Sequence, residues 1–323
     1  MIKIVCIIPS AYTKNTTPYL EQCVASLTNA VNHQVRLSIV VVSTNPRAQN
    51  ALLRKRVAQC IIAPKKSGFS DLNNLAILRT INTINADYYV FINDDAQIDK
   101  HFFRTFSQYV NNHTFDVLNP IIYTKHSHTI DSFGVEYFLS GYAKNARSKK
   151  TKTMLATAAC LIVKTSFLKK MKSIYGYYFN PMLHYYLEDV EFSIRAFGIG
   201  GIIRKTDRLS VSHIGSLTSQ KKSYFTIYQT FRNILWVIVL TWPLSVIMNN
   251  IFQIILVQGW LIFYSTPRFG PRFYIKIFWE TWKNFPKLMH YRKRTIQRYD
   301  NPSNFPTVFS PHAFRTGKGK IIL

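Results

Sequence analysis

Short apolar runs alternate with amphipathic segments through the first two-thirds of this 323-residue chain, and this alternation limits the possible fold more than any other feature. Runs rich in branched and aromatic residues predict strands, and the segments between them predict helices. The predicted strands are 2–9, 37–42, 60–63 and 88–92, and the predicted helices are 17–30, 49–56 and 71–83. This order predicts an α/β fold with a mostly parallel central sheet flanked by helices.

The later part of the chain predicts more elements and a second region. Further strands are expected at 117–123 and 155–163, a helix after Glu188-Asp189, and a strand before His213. Composition changes after about Lys222, and the stretch 233–267 has no charged residue. We therefore expect an α/β domain over 1–220 and a helical, basic and aromatic C-terminal region over 221–323.

Three polar residues, Asn93-Asp94-Asp95, directly follow the apolar run 88–92. Ligands of open α/β sheets bind beyond the carboxyl ends of the strands, which is where these carboxylates are expected. Paired carboxylates there suit Mg²⁺ or Mn²⁺ carrying a diphosphate. The alternative is an ordinary polar turn, because Asn and Asp are common turn residues.

Two further polar clusters lie downstream. Glu188, Asp189 and Glu191 fall where a helix begins, so they either complement its N-terminal dipole or supply a rigidly held proton acceptor. His213 follows a strand and precedes Gly215 and Ser216; it is either a structural histidine or a ligand that completes a carboxylate metal site.

Two segments are candidates for contacts to a nucleotide. The stretch from Gly68 to Asn74 lies between a strand and a helix, where free N–H groups can face phosphate. Ser43 ends the second predicted strand and so occupies another ligand position at the edge of the sheet.

The charge balance points to an anionic partner. Lys and Arg number 41 against 15 Asp and Glu, a formal net charge of +26. Nucleic acid, an anionic membrane surface or a phosphorylated substrate would all fit. The positive charge is spread along the chain and no RNA-binding motif is present, which disfavours nucleic acid.

Cysteine usage and the first residues suggest an intracellular location. The four cysteines are far apart in apolar settings, which predicts buried free thiols and no zinc site. Residues 1–9 reach Pro9 too soon for the core of a signal peptide, so we expect them to form the first strand.

Residues 233–267 contain no charged side chain, and this stretch is longer than the roughly 20 uncharged residues that a membrane span needs. Pro243 and several amides interrupt this stretch, and both of its flanks are basic. Helices lying in the membrane interface, or a re-entrant hairpin, would keep both basic flanks on the same side of the membrane. A span across 234–264 and a buried core helix are the alternatives.

The tail also favours a membrane surface. Trp279 and Trp282 alternate with polar residues, and a run of Lys and Arg follows between 287 and 298. Aromatic side chains at headgroup depth and cations over anionic lipid hold peripheral proteins on membranes. A solvated basic face is the alternative.

Taken in order, these segments resemble family-two inverting glycosyltransferases with the GT-A fold, especially their rhamnosyltransferase-like bacterial branch. The resemblance covers roughly 1–220. It is carried by Ile7-Ile8-Pro9, Gly68 to Asn74, Asn93-Asp94-Asp95, the small-residue run 156–162, Glu188 to Ala196, and His213 to Ser216.

The resemblance implies a division of roles at the metal and the diphosphate. Asp95 would bind a divalent cation (Mg or Mn), with Asp94 or Asn93 supporting it, and His213 would be another metal or diphosphate contact. The nucleotide-sugar contacts would be Pro9, Ser43, Gly68, Asn74 and Asn93. Family members usually have Asp where this chain has Ser43, so the sequence leaves the nucleotide base open.

The resemblance also implies a reaction and a location. Asp189 would be the general base, with Glu188 as the alternative, for transfer of a sugar from a nucleotide-diphosphate sugar to a saccharide or lipid-linked acceptor. The expected setting is cell-surface polysaccharide synthesis at the cytoplasmic face of the cell membrane, with the protein peripheral or re-entrant. The rival hypothesis is a membrane-bound nucleotide-sugar-binding protein without catalysis.

Overall fold

A computed structural model of the chain describes residues 1–52, 57–125, 127–153, 155–214 and 223–300, with short parts of the tail at 305, 307–310, 314–315 and 321–322. The first half alternates strands and helices as the sequence predicts. These elements are β1 Ile2–Ser10, α1 Thr17–Asn29, β2 Val35–Ser43, α2 Arg47–Leu52, β3 Gln59–Ile62, α3 Phe69–Thr80 and β4 Tyr88–Ile92. The last four residues of the predicted helix 49–56 lie outside the described residues.

The middle of the chain adds shorter strands and three helices. They are β5 Ala96–Ile98, α4 Phe102–Asn112, β6 Val117–Thr124, β7 Ile130–Ser132, β8 Val135–Tyr137, β9 Ala143–Asn145, β10 Cys160–Lys164, α5 Thr165–Tyr175, α6 Glu188–Gly198 and β11 Ile203–His213. Beyond β11, short strands β12 Phe314–Arg315 and β13 Ile321–Ile322 pair with each other.

The predicted strand 155–163 forms only in its second half. Leu155 makes an isolated bridge, and the regular strand β10 begins at Cys160. Side chains take the backbone N–H groups in between: Ser193 accepts from Ala156, and Asn119 accepts from Thr157. Because these N–H groups bond to side chains, residues 156–157 do not join the sheet, and a turn at 158–159 follows beside the end of β4.

The sheet is mixed, which corrects the expectation of a mostly parallel one. Its order is β3-β2-β1-β4-β10-β6-β11-β5, with β7 paired to β6. The pairs from β3 to β4 and the pair β6–β11 are parallel, whereas β10 runs antiparallel to both of its neighbours and β5 runs antiparallel to β11. The apolar pattern marks the strands, but the connections between them set their directions.

Alternating residues of β1 face two separate cores. Ile4, Cys6 and Ile8 pack on the side of α1 and α4, whereas Val5 and Ile7 pack on the side of α3 and α5. This two-sided burial explains the continuous apolar runs of the central strands. All four cysteines are buried free thiols, as the sequence predicts.

The C-terminal region is helical, with α7 Tyr224–Thr241, α8 Leu244–Asn249, α9 Ile251–Phe269 and α10 Arg272–Ile296. Helix α7 packs against both α6 and α10, and most of its uncharged part is buried. Within the described residues, no helix has the length and apolar character that a membrane crossing requires. The boundary expected at 220 falls in a stretch that lies outside those residues.

Candidate active site

The carboxyl ends of β1, β2 and β4 meet at one edge of the sheet because the three strands are parallel. There the Ser10 hydroxyl donates a 2.6 Å hydrogen bond to Asp94 Oδ2. Burial, together with the neighbouring Asp95 carboxylate, raises the pKa of Asp94 to about 6 against the opposing effect of this hydrogen bond. The serine thus fixes Asp94 against the end of the first strand.

Asp95 and His213 meet although they are 118 residues apart. Strand β5 starts directly after Asp95 and pairs antiparallel with the end of β11, so His213 lies opposite Ala96. His213 Nε2 lies 3.0 Å from Asp95 Oδ1, and its Nδ1 lies 3.1 Å from Asp131 Oδ2. The imidazole is therefore clamped between two carboxylates.

These contacts dominate the charge state of the ring. Burial alone would lower the pKa of His213, but the hydrogen bonds to Asp131 and Asp95 outweigh burial and raise it to about 9. Asn93 Nδ2 lies 3.5 Å from His213 Nε2, on the same side of the ring as Asp95.

The donor set fits a divalent cation that also binds a diphosphate. The described residues contain no group of three or more His, Cys, Asp or Glu side chains arranged to hold a metal ion by themselves. Mg²⁺-type cations, however, usually take only one or two carboxylates plus substrate phosphates. Asp95 supplies one such carboxylate, and His213 could join it once Nε2 loses the proton that it shares with Asp95 in this structure. Asp131 on the far ring nitrogen is the kind of partner that orients a metal-binding histidine.

A second carboxylate pair lies at the start of α6. Tyr186 and Leu187, directly before the helix, both have left-handed backbone conformations with φ of 66° and 63°. Residues other than glycine rarely adopt this conformation, and at functional sites it marks stored strain. The strained turn delivers Glu188 and Asp189 as the first two residues of the helix.

The two carboxylates are held differently. Asp189 accepts hydrogen bonds from the backbone N–H groups of Ala158 (3.1 Å) and Val190 (2.8 Å). Glu188 is only 7% exposed, and its Oε2 has no hydrogen-bond partner among the residues that the structure describes. Burial raises the pKa of Glu188 well above its ordinary value, and the nearby Asp189 raises it further. Burial also raises the pKa of Asp189, but its two N–H donors oppose the rise.

Helix α7 supports the strained turn from behind. The Asn233 side chain is fully buried and donates to the carbonyls of Tyr185 (2.7 Å) and Tyr186 (2.8 Å). Its own oxygen accepts from the Arg232 guanidinium, which pairs at 3.0 Å with Glu280 of α10. A chain of hydrogen bonds therefore runs from α10 to the turn before Glu188.

Both carboxylate pairs open into one cavity of about 430 Å³. Of the residues predicted from the sequence, seven line it: Pro9, Asn93, Asp94, Asp95, Glu188, Asp189 and His213. Aromatic side chains of Tyr185, Tyr186 and Phe225 form a further part of the wall. A cleft that combines aromatic faces with a few convergent polar groups is typical of a small-molecule binding site.

Three predicted contacts, all in the described part of the chain, do not line this cavity. Ser43 is fully buried, and its hydroxyl accepts from the backbone N–H of Asn45, while the next residue, Thr44, reaches the cavity. Asn74 uses both ends of its carboxamide on the backbone of Phe179.

Gly68 lies at the start of α3, just behind the cavity wall. A Cβ at this position would overlap the backbone of His184, so glycine is required for the close approach of the two segments. Asp71 accepts from the Gly68 N–H at 2.8 Å and so closes the first turn of α3.

Sequence reasoning missed Ser10 and Asp131. Ser10 follows Pro9 directly, so its position at a strand end was an available signal. Asp131 is a single acidic residue on a short strand, and no local pattern links it to His213 across 82 positions.

No family model and no curated protein matches the sequence. Among solved structures, the fold is similar to that of GalNAc-T7 with UDP, GalNAc and Mn²⁺, with a TM-score of 0.61 and 13% identity over 86% of this chain and 54% of that chain. It is also similar to S. aureus TarS 1–349 in complex with UDP-GlcNAc, with a TM-score of 0.54 and 18% identity over 98% of this chain and 95% of that one. The chain thus spans about half the length of GalNAc-T7.

At these identities the likeness establishes the fold. The chain has the GT-A fold that these glycosyltransferases share, which confirms the predicted α/β fold class apart from the strand directions corrected above, while membrane association of the C-terminal region stays a prediction. Its carboxylate pairs and histidine lie at the sheet edge where α/β folds of this kind bind ligands.

Proposed function

We propose that this chain is an inverting, metal-assisted glycosyltransferase that moves a sugar from a nucleotide-diphosphate sugar to a hydroxyl of a saccharide or lipid-linked saccharide. One observation carries the proposal. In a GT-A fold, a cavity at the sheet edge brings the Asp95–His213 pair together with the Glu188–Asp189 pair. The rhamnosyltransferase-like branch and a role in bacterial polysaccharide synthesis remain predictions from sequence.

The donor half of the cavity would bind the diphosphate. Asp95 and His213 would hold a divalent cation, and Asp94, fixed by Ser10, would keep Asp95 in place. Such a cation neutralises the charge that develops on the leaving nucleoside diphosphate. The structures of similar fold contain UDP or UDP-GlcNAc, which supports a UDP-sugar as the first donor to test.

The acceptor half would carry out proton transfer. Asp189 would take the proton from the acceptor hydroxyl as its oxygen attacks the anomeric carbon and the bond to the diphosphate oxygen breaks. Two backbone N–H groups hold Asp189 in a fixed orientation, as a general base requires. Because the acceptor displaces the diphosphate in one step, the configuration at the anomeric carbon inverts and no enzyme nucleophile is needed.

Glu188 would have a different part in the site. Its buried Oε2 lacks a partner among the described residues, and its raised pKa favours the neutral acid. A neutral carboxyl at the cavity wall can donate a hydrogen bond to a sugar hydroxyl, which satisfies both groups. We therefore assign Glu188 to sugar binding and Asp189 to proton transfer.

A thermal-shift screen of nucleoside diphosphates with Mn²⁺, followed by turnover of the matching sugar donor, tests the proposal. We expect one base to stabilise the protein more than the others, and only when the metal is present. Release of the nucleoside diphosphate from its sugar donor should then depend on an added acceptor. Stabilisation without turnover on any saccharide acceptor would favour the non-catalytic binding protein instead.

A further inference from the structure

Helices α9 and α10 present apolar side chains to solvent along continuous stripes. The exposed large apolar residues of α10 are Ile275, Phe278, Trp279, Trp282, Phe285 and Met289. They recur at spacings of three and four residues and so occupy one side of the helix. Trp279 and Trp282 are 66% and 74% exposed, far more than such side chains usually are in a soluble protein.

Helix α9 carries a second stripe with the same property. Its exposed apolar residues are Ile251, Phe252, Ile255, Leu256, Ile262 and Phe263. The opposite side of α9 packs into the core through Ile254, Val257 and Leu261, and its Gln258 accepts a hydrogen bond from Tyr274 of α10. The only charged residue in α9 is Arg268, in its last turn.

Basic side chains follow one edge of the α10 stripe. Exposed Arg272, Lys276, Lys283, Lys287 and Arg294 lie between the apolar stripe and the buried side of the helix. The one acidic residue of α10, Glu280, pairs with Arg232 instead. An apolar face edged by cations is the arrangement of a helix that lies in the plane of an anionic bilayer.

We propose that the exposed faces of α9 and α10 lie in the headgroup region of an anionic lipid bilayer, with both helices parallel to the membrane plane. No helix in the described ranges is able to cross a membrane, so an in-plane position accounts for the apolar faces. A second copy of this chain is a poorer occupant. At a net charge of +26, two copies repel each other, whereas anionic lipid attracts the same surface.

The inference is independent of the proposed reaction and can fail separately from it. The test is co-sedimentation of the full chain with vesicles of phosphatidylcholine containing about 30% phosphatidylglycerol, compared with phosphatidylcholine alone. We expect binding to the anionic vesicles that weakens at high salt. Equal binding to both vesicles, or to neither, would overturn the proposal.

Two pairs of substitutions separate the apolar and charged contributions. Trp279→Ser with Trp282→Ser should lower the partition coefficient about ten-fold or more. Lys283→Gln with Lys287→Gln should lower it about 25-fold at low salt, because each cation near the surface contributes about five-fold. Leu78→Ser and Lys169→Gln, which alter exposed residues of α3 and α5, are matched controls and should leave binding unchanged.

Quenching of tryptophan fluorescence by brominated lipid gives a second readout that does not depend on loss of binding. Quenching should occur in the wild-type protein and be largely lost in a variant with Trp260→Phe, Trp279→Phe and Trp282→Phe together, because the two remaining tryptophans, Trp236 and Trp242, are buried. Unchanged quenching in that variant would place other residues in the bilayer and contradict the proposal. A wild-type dimer that the Trp→Ser variant converts to a monomer would assign the face to a second copy and equally overturn it.

Discussion

Two carboxylates hold the His213 imidazole, with Asp95 on one ring nitrogen and Asp131 on the other. Their hydrogen bonds give the buried ring a pKa of about 9, whereas an unfolded chain has an imidazole pKa of about 6.5. The protonated ring therefore favours the folded state. Its contribution is complete below the unfolded pKa and is lost as the pH rises through the folded one.

We expect the unfolding free energy of the cation-free protein to contain a His213 contribution of about 3 kcal/mol that disappears between pH ~6.5 and ~9. Asp131→Asn replaces one of the two carboxylates and should remove a large part of this pH dependence. Urea unfolding of both proteins across this range measures the difference. Identical pH profiles for the two proteins would show that Asp131 does not hold the ring.

The assignment of Asp189 as base and Glu188 as a sugar contact also makes a prediction for single residues. Asp189→Asn should lower kcat for sugar transfer by about 10²–10⁴-fold, because it removes the proton acceptor. Glu188→Gln keeps a neutral hydrogen-bonding group, so we expect a larger effect on KM than on kcat. Steady-state kinetics of both variants measure this difference. A larger loss of kcat in Glu188→Gln than in Asp189→Asn would reverse the assignment.

At the scale of elements, α7 supports the strained turn that starts α6. Asn233 holds the carbonyls of Tyr185 and Tyr186, and Tyr186 is the first of the two residues with left-handed backbones. If these bonds are lost, nothing else described in the structure holds those two carbonyls, and the turn can relax. The position of Asp189 in the cavity would then change.

We expect Asn233→Ala to lower the unfolding free energy by about 1–3 kcal/mol, since it leaves two part-buried carbonyls without their donors. It should also lower kcat while the KM for the donor stays within about three-fold, because the diphosphate half of the site is on other strands. Asn284→Ala, which removes a single hydrogen bond within α10, is the control. A rise in donor KM at constant kcat would contradict a positioning role for Asn233.

The elements differ in how well the sequence predicts them. Strand β4 matches its prediction at both ends, because five apolar residues stop at the polar Asn93. Strand β10 starts five residues later than predicted, since the partners Asn119 and Ser193 lie on distant elements and leave no local pattern. Its antiparallel direction is equally invisible, because an apolar run has the same appearance in either direction.

At the scale of the whole molecule, the general rule for α/β sheets was enough to predict where three candidate residues lie. Asp94 and Asp95 follow a strand and His213 ends one, so they were expected at one edge of the sheet, and all three line the same cavity. Asp131 and Asn233 act through long-range contacts and could not be recognised from their neighbours in sequence. Asn74, in contrast, was chosen from a motif and is engaged with the backbone of Phe179.

The most direct test of the proposed function measures donor binding and sugar transfer separately in Asp95→Asn and Asp189→Asn, with the surface variant Asp207→Asn as control. With Mn²⁺ and the sugar donor of whichever nucleotide stabilises the protein most, Asp189→Asn should bind the donor within about three-fold of wild type yet lose at least about 100-fold in transfer. Asp95→Asn should lose both metal-dependent binding and transfer. Near wild-type transfer by either variant would contradict the account of this site.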